Sequence, residues 1–178
     1  MIYSVGSIFL DHIIKINSFP KKPIKILAKG IAKRLGGSAA VASFTIKKLG
    51  LDSTFIGRLG DDDVSKYLKG ELRAFKIRHK DIITIKGAQS SQSYVYEDSQ
   101  GERLLAAFNE KKLLNNKKLP KISFIKNTTF ITDLRWIEAT LYIAKNCHKK
   151  NLIHVVDLDN YKLTSQIKQI VDLASHPI

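Results

Sequence analysis

The sequence predicts an α/β protein with a mostly parallel sheet and two β-rich stretches that break the alternation. Three observations carry this. Strand-like apolar runs alternate with segments of helical period, most clearly over residues 129–132, 137–149, 152–156 and 163–174. Such alternation implies parallel pairing through right-handed crossovers. The first run, residues 2–10, is almost continuously apolar, as befits a strand covered on both faces. Two further stretches, residues 24–32 and 91–108, read as β-rich and break the alternation.

Taken in order, residues 2–10 form the first strand and residues 24–32 a β-rich insertion. Gly36 and Gly37 then mark a loop that delivers its backbone to a helix, with Ser38 as N-cap and Gly50 as the residue just past the C-terminus. Ala39, Ala40, Ala42 and Ser43 give that helix a slim start, suited to close packing against a sheet or a small molecule. Its first amides are expected to face hydroxyl or anionic groups. Residues 51–56 read as a strand, broken by Gly57-Arg58-Leu59-Gly60. Asp61, Asp62 and Asp63 follow as caps and first-turn acids of the next helix. Over residues 64–75, Val64, Tyr67, Leu68, Leu72 and Phe75 share one helical face. Residues 91–108 read as a hairpin turning at Asp98-Ser99-Gln100-Gly101.

Composition bounds the function. The chain of 178 residues can bury one sizeable core. It has no apolar run near the roughly 20 residues of a membrane-spanning helix. Its start lacks the basic region of a signal peptide, so a cytoplasmic protein is expected. Cys147 is the only cysteine, is expected in the core of a helix face, and has no internal disulfide partner. The net charge of +14 comes from 24 Lys and 6 Arg dispersed along the chain. That dispersal reads as a solvated basic surface rather than a nucleic-acid site, and the aromatic-flanked arginines of an RNA-binding sheet are missing.

The stretch 35–63, LGGSAAVASFTIKKLGLDSTFIGRLGDDD, resembles the glycine-pair signature of the PfkB family, the ribokinase-like carbohydrate kinases. Within the family it looks most like the ketohexokinase and sulfofructose kinase branch. Val5-Gly6-Ser7 followed by Asp11, Ser90-Ser91-Gln92-Ser93 leading to Asp98-Ser99-Gln100-Gly101-Glu102-Arg103, Asp133-Leu134-Arg135-Trp136, and Val155-Val156-Asp157-Leu158-Asp159 agree with it in family order. The resemblance covers nearly the whole chain. It implies a ribokinase-like three-layer α/β/α fold, with residues 1–178 as the N-terminal part of the kinase domain. Segments at about 24–32 and 91–108 would form a β-lid over the sugar and offer a homodimer contact.

By the same resemblance, Asp11 accepts hydrogen bonds from sugar hydroxyls, a task a carboxylate suits; the alternative is a cap or solvated loop acid. Gly36 and Gly37 match the pair that lies against the sugar; the alternative is a plain tight turn. Ser38 and Val41 depart from the family's common asparagines, and serine keeps part of an amide's hydrogen bonding where valine keeps none. Lys25 and Arg135 match basic positions that face an acidic group on the substrate in the sulfosugar-like branch, and a planar guanidinium fits such a group. For Lys25 the alternative is one surface lysine among many. A third polar position expected there is Ala107, with Asn109 two residues on.

The family's Gly-Ala-Gly-Asp motif, whose aspartate takes the proton from the attacking hydroxyl, does not occur between Met1 and Ile178. Its Asn-x-x-Glu and adenine-binding segments are missing as well, and no Walker-type loop replaces them. Asp157 and Asp159 are expected to support the phosphate site rather than to act as base. The chain is therefore expected to carry the sugar half and lid of a kinase, truncated before its ATP-binding half. ATP and Mg2+ are implied for a full-length member but not expected to bind this chain well, and the chain alone is expected to be inactive. The other function class is a non-catalytic sugar-binding or assembly module.

Overall fold

The computed structural model describes residues 1–159 and 162–178. In chain order the elements are β1 (Ile2–Gly6), β2 (Phe9–Lys15), β3 (Gly30–Gly36), α1 (Ser38–Lys48), β4 (Ser53–Leu59), α2 (Asp63–Ala74), β5 (Ile83–Thr84), β6 (Gln92–Glu97), β7 (Arg103–Phe108), α3 (Lys111–Leu114), β8 (Thr129–Asp133), a 3-10 turn (Leu134–Trp136), α4 (Ile137–Lys150), β9 (Ile153–Asp157), α5 (Ser165–Leu173) and β10 (His176–Pro177).

The main sheet has the order β10-β9-β8-β1-β4-β5, and every pairing in it is parallel. The apolar β1 sits near its centre, with Val5 opposite Ile56 of β4 on one side and Thr132 of β8 on the other. Alternate residues of β4 feed two cores. Phe55 and Leu59 pack with Ala39 and Ala40 of α1 and Leu68 and Leu72 of α2. Ile56 packs with Ala139, Ile143 and Cys147 of α4, and α4 packs in turn against α5. Helices therefore cover both faces, the three-layer arrangement expected from sequence. Cys147 is fully buried, and burial pushes its thiol up to about 12.

A second sheet of order β3-β2-β6-β7 joins the N-terminal and middle segments. The β6–β7 hairpin forms as expected, with Val95 opposite Leu105. Four expectations are corrected. The apolar run 2–10 is two strands, because the chain leaves the main sheet after Gly6 and enters the second sheet at Phe9. The β-rich segment 24–32 is largely an exposed, irregular stretch, and the strand lies later, at Gly30–Gly36, where antiparallel pairing with all of β2 fixes it. Strand β4 continues through Gly57, Arg58 and Leu59 rather than stopping at Ile56, since β1 and β5 supply hydrogen-bond partners on either side. Ser38 is the first helical residue, and Gly37 is the N-cap, without a side-chain capping bond.

The remaining punctuation is as read. Gly50 lies just past the last turn of α1 with φ +82°. Asp62 caps α2 by accepting from the Ser65 amide at 2.9 Å.

Candidate functional site

Strands β1 and β8 end side by side, and Asp133 closes β8 with its side chain almost fully buried. Its Oδ2 accepts from the Ser7 amide at 2.8 Å, the Ser7 hydroxyl at 2.6 Å and the Ala39 amide at 3.2 Å, while Oδ1 accepts from the Arg135 amide at 3.0 Å. A buried carboxylate is tolerated only when so satisfied. One side chain thereby ties the β1–β2 connection, the start of α1 and the turn after β8. The Ala40 amide donates to the Ser7 carbonyl at 3.2 Å. Two first-turn amides of α1 are thus used within the chain: that of Ala39 faces an anionic group, as expected, but one of the protein's own, and that of Ala40 faces a backbone carbonyl.

Asp11 lies on β2 opposite Ser93 of β6, and the Ser93 hydroxyl donates to Asp11 Oδ1. A Cβ at position 36 would overlap the Asp11 carboxylate, so glycine there leaves that carboxylate in its place. Gly37 has φ +93°, and a Cβ there would sit 2.7 Å from the Ser7 carbonyl oxygen. The glycine pair therefore meets two separate demands, close approach of a carboxylate and a left-handed backbone.

These groups converge on a cleft of about 190 Å³ between the two sheets. Its polar lining is Ser7, Asp11, Gly37, Ser38, Ser93, Arg135 and Asp159, and Phe9, Leu105 and Ala107 form its apolar wall. The Arg135 guanidinium donates to Asp159 Oδ2 at 3.2 Å, and both side chains are about half exposed. Asp159 stands in a left-handed conformation, φ +47°, its amide donating to Asp157 Oδ1 at 3.1 Å. A carboxylate acceptor, hydroxyls that both donate and accept, and a guanidinium donor match the hydrogen-bonding needs of a small polyol.

Of the residues expected from sequence, Asp11, Gly37, Ser38 and Arg135 line this cleft, and Gly36 abuts it through Asp11. Lys25 does not: it lies in the exposed stretch 21–29, away from the lining. Val41 is on an exposed face of α1, 43% accessible. Asn109 accepts from the Ser91 hydroxyl at 3.1 Å and does not line the cleft, while Ala107 is in its wall. Asp133 and Ser93 sit inside the motifs that carry the resemblance, but their roles rest on distant partners: Ser7 is 126 residues from Asp133, and Asp11 is 82 residues from Ser93. Among the described residues no group of three or more His, Cys, Asp or Glu side chains is placed to hold a metal ion.

The family model for the pfkB family carbohydrate kinases matches residues 1–177. Fructokinase-2 of Solanum lycopersicum is 29% identical over 103 residues, which is 58% of this chain and 30% of that protein. Among solved structures, the nucleoside kinase of Methanocaldococcus jannaschii, an archaeal member of the ribokinase family, matches 99% of this chain and 59% of its own, with a TM-score of 0.82 and 20% identity. The Arabidopsis thaliana ribokinase complexed with ribose and ATP matches 93% of this chain and 56% of its own, with a TM-score of 0.74 and 20% identity. The chain spans less than two thirds of each of these proteins.

Proposed function

Because this chain belongs to the pfkB family of carbohydrate kinases, we propose that it holds the sugar and the lid of an ATP-dependent sugar kinase, with the groups for phosphoryl transfer lying in the rest of that domain. The observation that carries this reading is the Asp11 carboxylate, seated between Ser93 and Gly36 and opening onto the same cleft as Ser38 and Arg135. Asp11 accepts hydrogen bonds from adjacent sugar hydroxyls, and Ser38 adds a short polar contact beside the glycine pair. The second sheet acts as the lid, excluding water from a reaction in which water would compete for the phosphoryl group. ATP and Mg2+ serve the whole kinase and are not assigned residues in this chain.

The sugar is neutral or carries an acidic substituent: the Arg135 guanidinium is half exposed, and its exposed ion pair with Asp159 is of the weak kind that an incoming anion can displace. Ribose and fructose, the sugars of the related kinases, are the first candidates. Exposed Ile31, Tyr94, Leu104 and Phe108 of the second sheet favour a second copy docking there. The alternative, a non-catalytic sugar-binding or assembly module, shares the cleft and differs in having no phosphotransferase partner. No helix among the described residues is long and apolar enough to cross a membrane.

Two measurements test the reading. Thermal shifts with D-fructose, D-ribose and their acidic derivatives should show stabilisation by at least one of them. A coupled ADP-release assay on the pure 178-residue chain should show no sugar-dependent turnover; sustained turnover would contradict the half-site reading.

A further inference from the structure

Strand β4 carries one charged residue among buried neighbours, Arg58, itself only 7% exposed. Burial holds its guanidinium below its ordinary pKa, with Glu138 and Asp133 opposing that shift. An apolar side chain would avoid this desolvation, so what the guanidinium contacts is informative. Its Nη1 donates to the Leu114 carbonyl at 3.0 Å and the Asn116 carbonyl at 3.3 Å, and its Nη2 donates to the Arg135 carbonyl at 3.2 Å. Its Cζ lies over the Trp136 ring, 4.7 Å from the centroid. Leu114 and Asn116 belong to the segment that returns from β7 of the second sheet. Arg135 and Trp136 belong to the turn after β8, which forms one side of the cleft. A planar fork can satisfy three carbonyls at once where an ammonium cannot hold the same geometry. The cavity beside it, about 20 Å³, has room for about one water, which leaves the guanidinium little space to turn elsewhere.

We propose that Arg58 is a positioning residue that couples the return segment of the second sheet to the Arg135 turn, so that the lid and the cleft wall are set together. Arg58 does not line the 190 Å³ cleft and acts through the backbone carbonyls it holds. The consequence for substrate rests on the sugar-site reading above; the coupling itself does not.

The test is amide hydrogen exchange of the full, unliganded chain with Arg58→Lys and Arg58→Met. Exchange should accelerate about tenfold or more, the size of one lost charge-assisted hydrogen bond, in residues 109–116 and 134–137 together. Exchange of β2, β3 and α5 should be unchanged. The emission of Trp136, the single tryptophan, should shift in Arg58→Lys while the circular dichroism spectrum is retained. Acceleration in only one of the two segments, or evenly across the chain, would overturn the coupling. If Arg58→Met fails to fold, Arg58→Lys alone decides. A second arm measures D-fructose binding by calorimetry: Arg58→Lys should weaken it, and the further loss that Arg58→Lys causes should be clearly smaller in an Arg135→Ala background than in the wild type. Additive losses would overturn the positioning role. Absence of fructose binding by the wild type would count against the sugar-site reading and leave the exchange result to decide the coupling.

Discussion

The Asp11 carboxylate occupies the space that a side chain on Gly36 would need. The two residues lie on paired strands, β2 and β3, and the close approach turns the carboxylate toward Ser93 and the cleft. Alanine at position 36 meets a side chain that can swing away, whereas alanine at 37 meets the Ser7 backbone with an unfavourable φ. Gly36→Ala should therefore fold normally and lose sugar affinity, by about tenfold if one charged hydrogen bond is lost. Gly37→Ala should destabilise the fold by about 1–3 kcal/mol. Urea midpoints and sugar titrations on the two variants separate these effects.

Asp133 joins three segments through four accepted hydrogen bonds. Asp133→Ala leaves the amides of Ser7, Ala39 and Arg135 without that acceptor. A loss of about 2–4 kcal/mol in unfolding free energy is expected, because several buried donors lose a charged acceptor at once. Denaturant unfolding measures it, and a loss near zero would mean that the connection is held by other contacts.

How much of this was legible in the sequence differs by residue. Asp62 and Gly50 were readable because caps act within a few residues of themselves. The β6–β7 hairpin was readable because its turn and alternation are local. The break between β1 and β2 was hidden, since both strands are apolar and their separation depends on which sheet each one joins. Residues 24–32 have strand-like composition, yet β3 begins at Gly30 because the partner β2 is fixed by Phe9 opposite Gly36 and Lys15 opposite Gly30. The cleft was legible at Asp11, the glycine pair and Arg135. Asp133, Ser93 and Arg58 were not, because their meaning lies in partners brought near only by folding.

His154 on β9 is fully buried, its Nε2 paired with the Thr132 hydroxyl at 2.9 Å and its Nδ1 without a partner among the described residues. Burial lowers its pKa to about 4. The unfolded chain, with an ordinary histidine near 6.5, therefore binds the proton more readily than the folded chain. Stability from this site is complete above about pH 6.5 and is lost as pH falls toward 4, by roughly 3 kcal/mol in all. Urea unfolding at pH 7.5 and pH 5 should show a larger drop for wild type than for His154→Gln.

The raised pKa and full burial of Cys147 make its thiol unreactive in the folded chain. An aromatic disulfide reagent should label it slowly under native conditions and rapidly, at one thiol per chain, in denaturant. Rapid native labelling would mean that α4 opens far more often than its core packing predicts.

Isothermal titration of D-fructose and D-ribose into the folded 178-residue chain, with Asp11→Ala and Lys25→Ala alongside, bears most directly on the cleft as a sugar site. The expected result is saturable one-to-one binding of at least one of these sugars. It should weaken about tenfold or more in Asp11→Ala and stay unchanged in Lys25→Ala, whose residue lies outside the cleft. Absence of saturable binding by a folded chain, or equal affinity in wild type and Asp11→Ala, would contradict it.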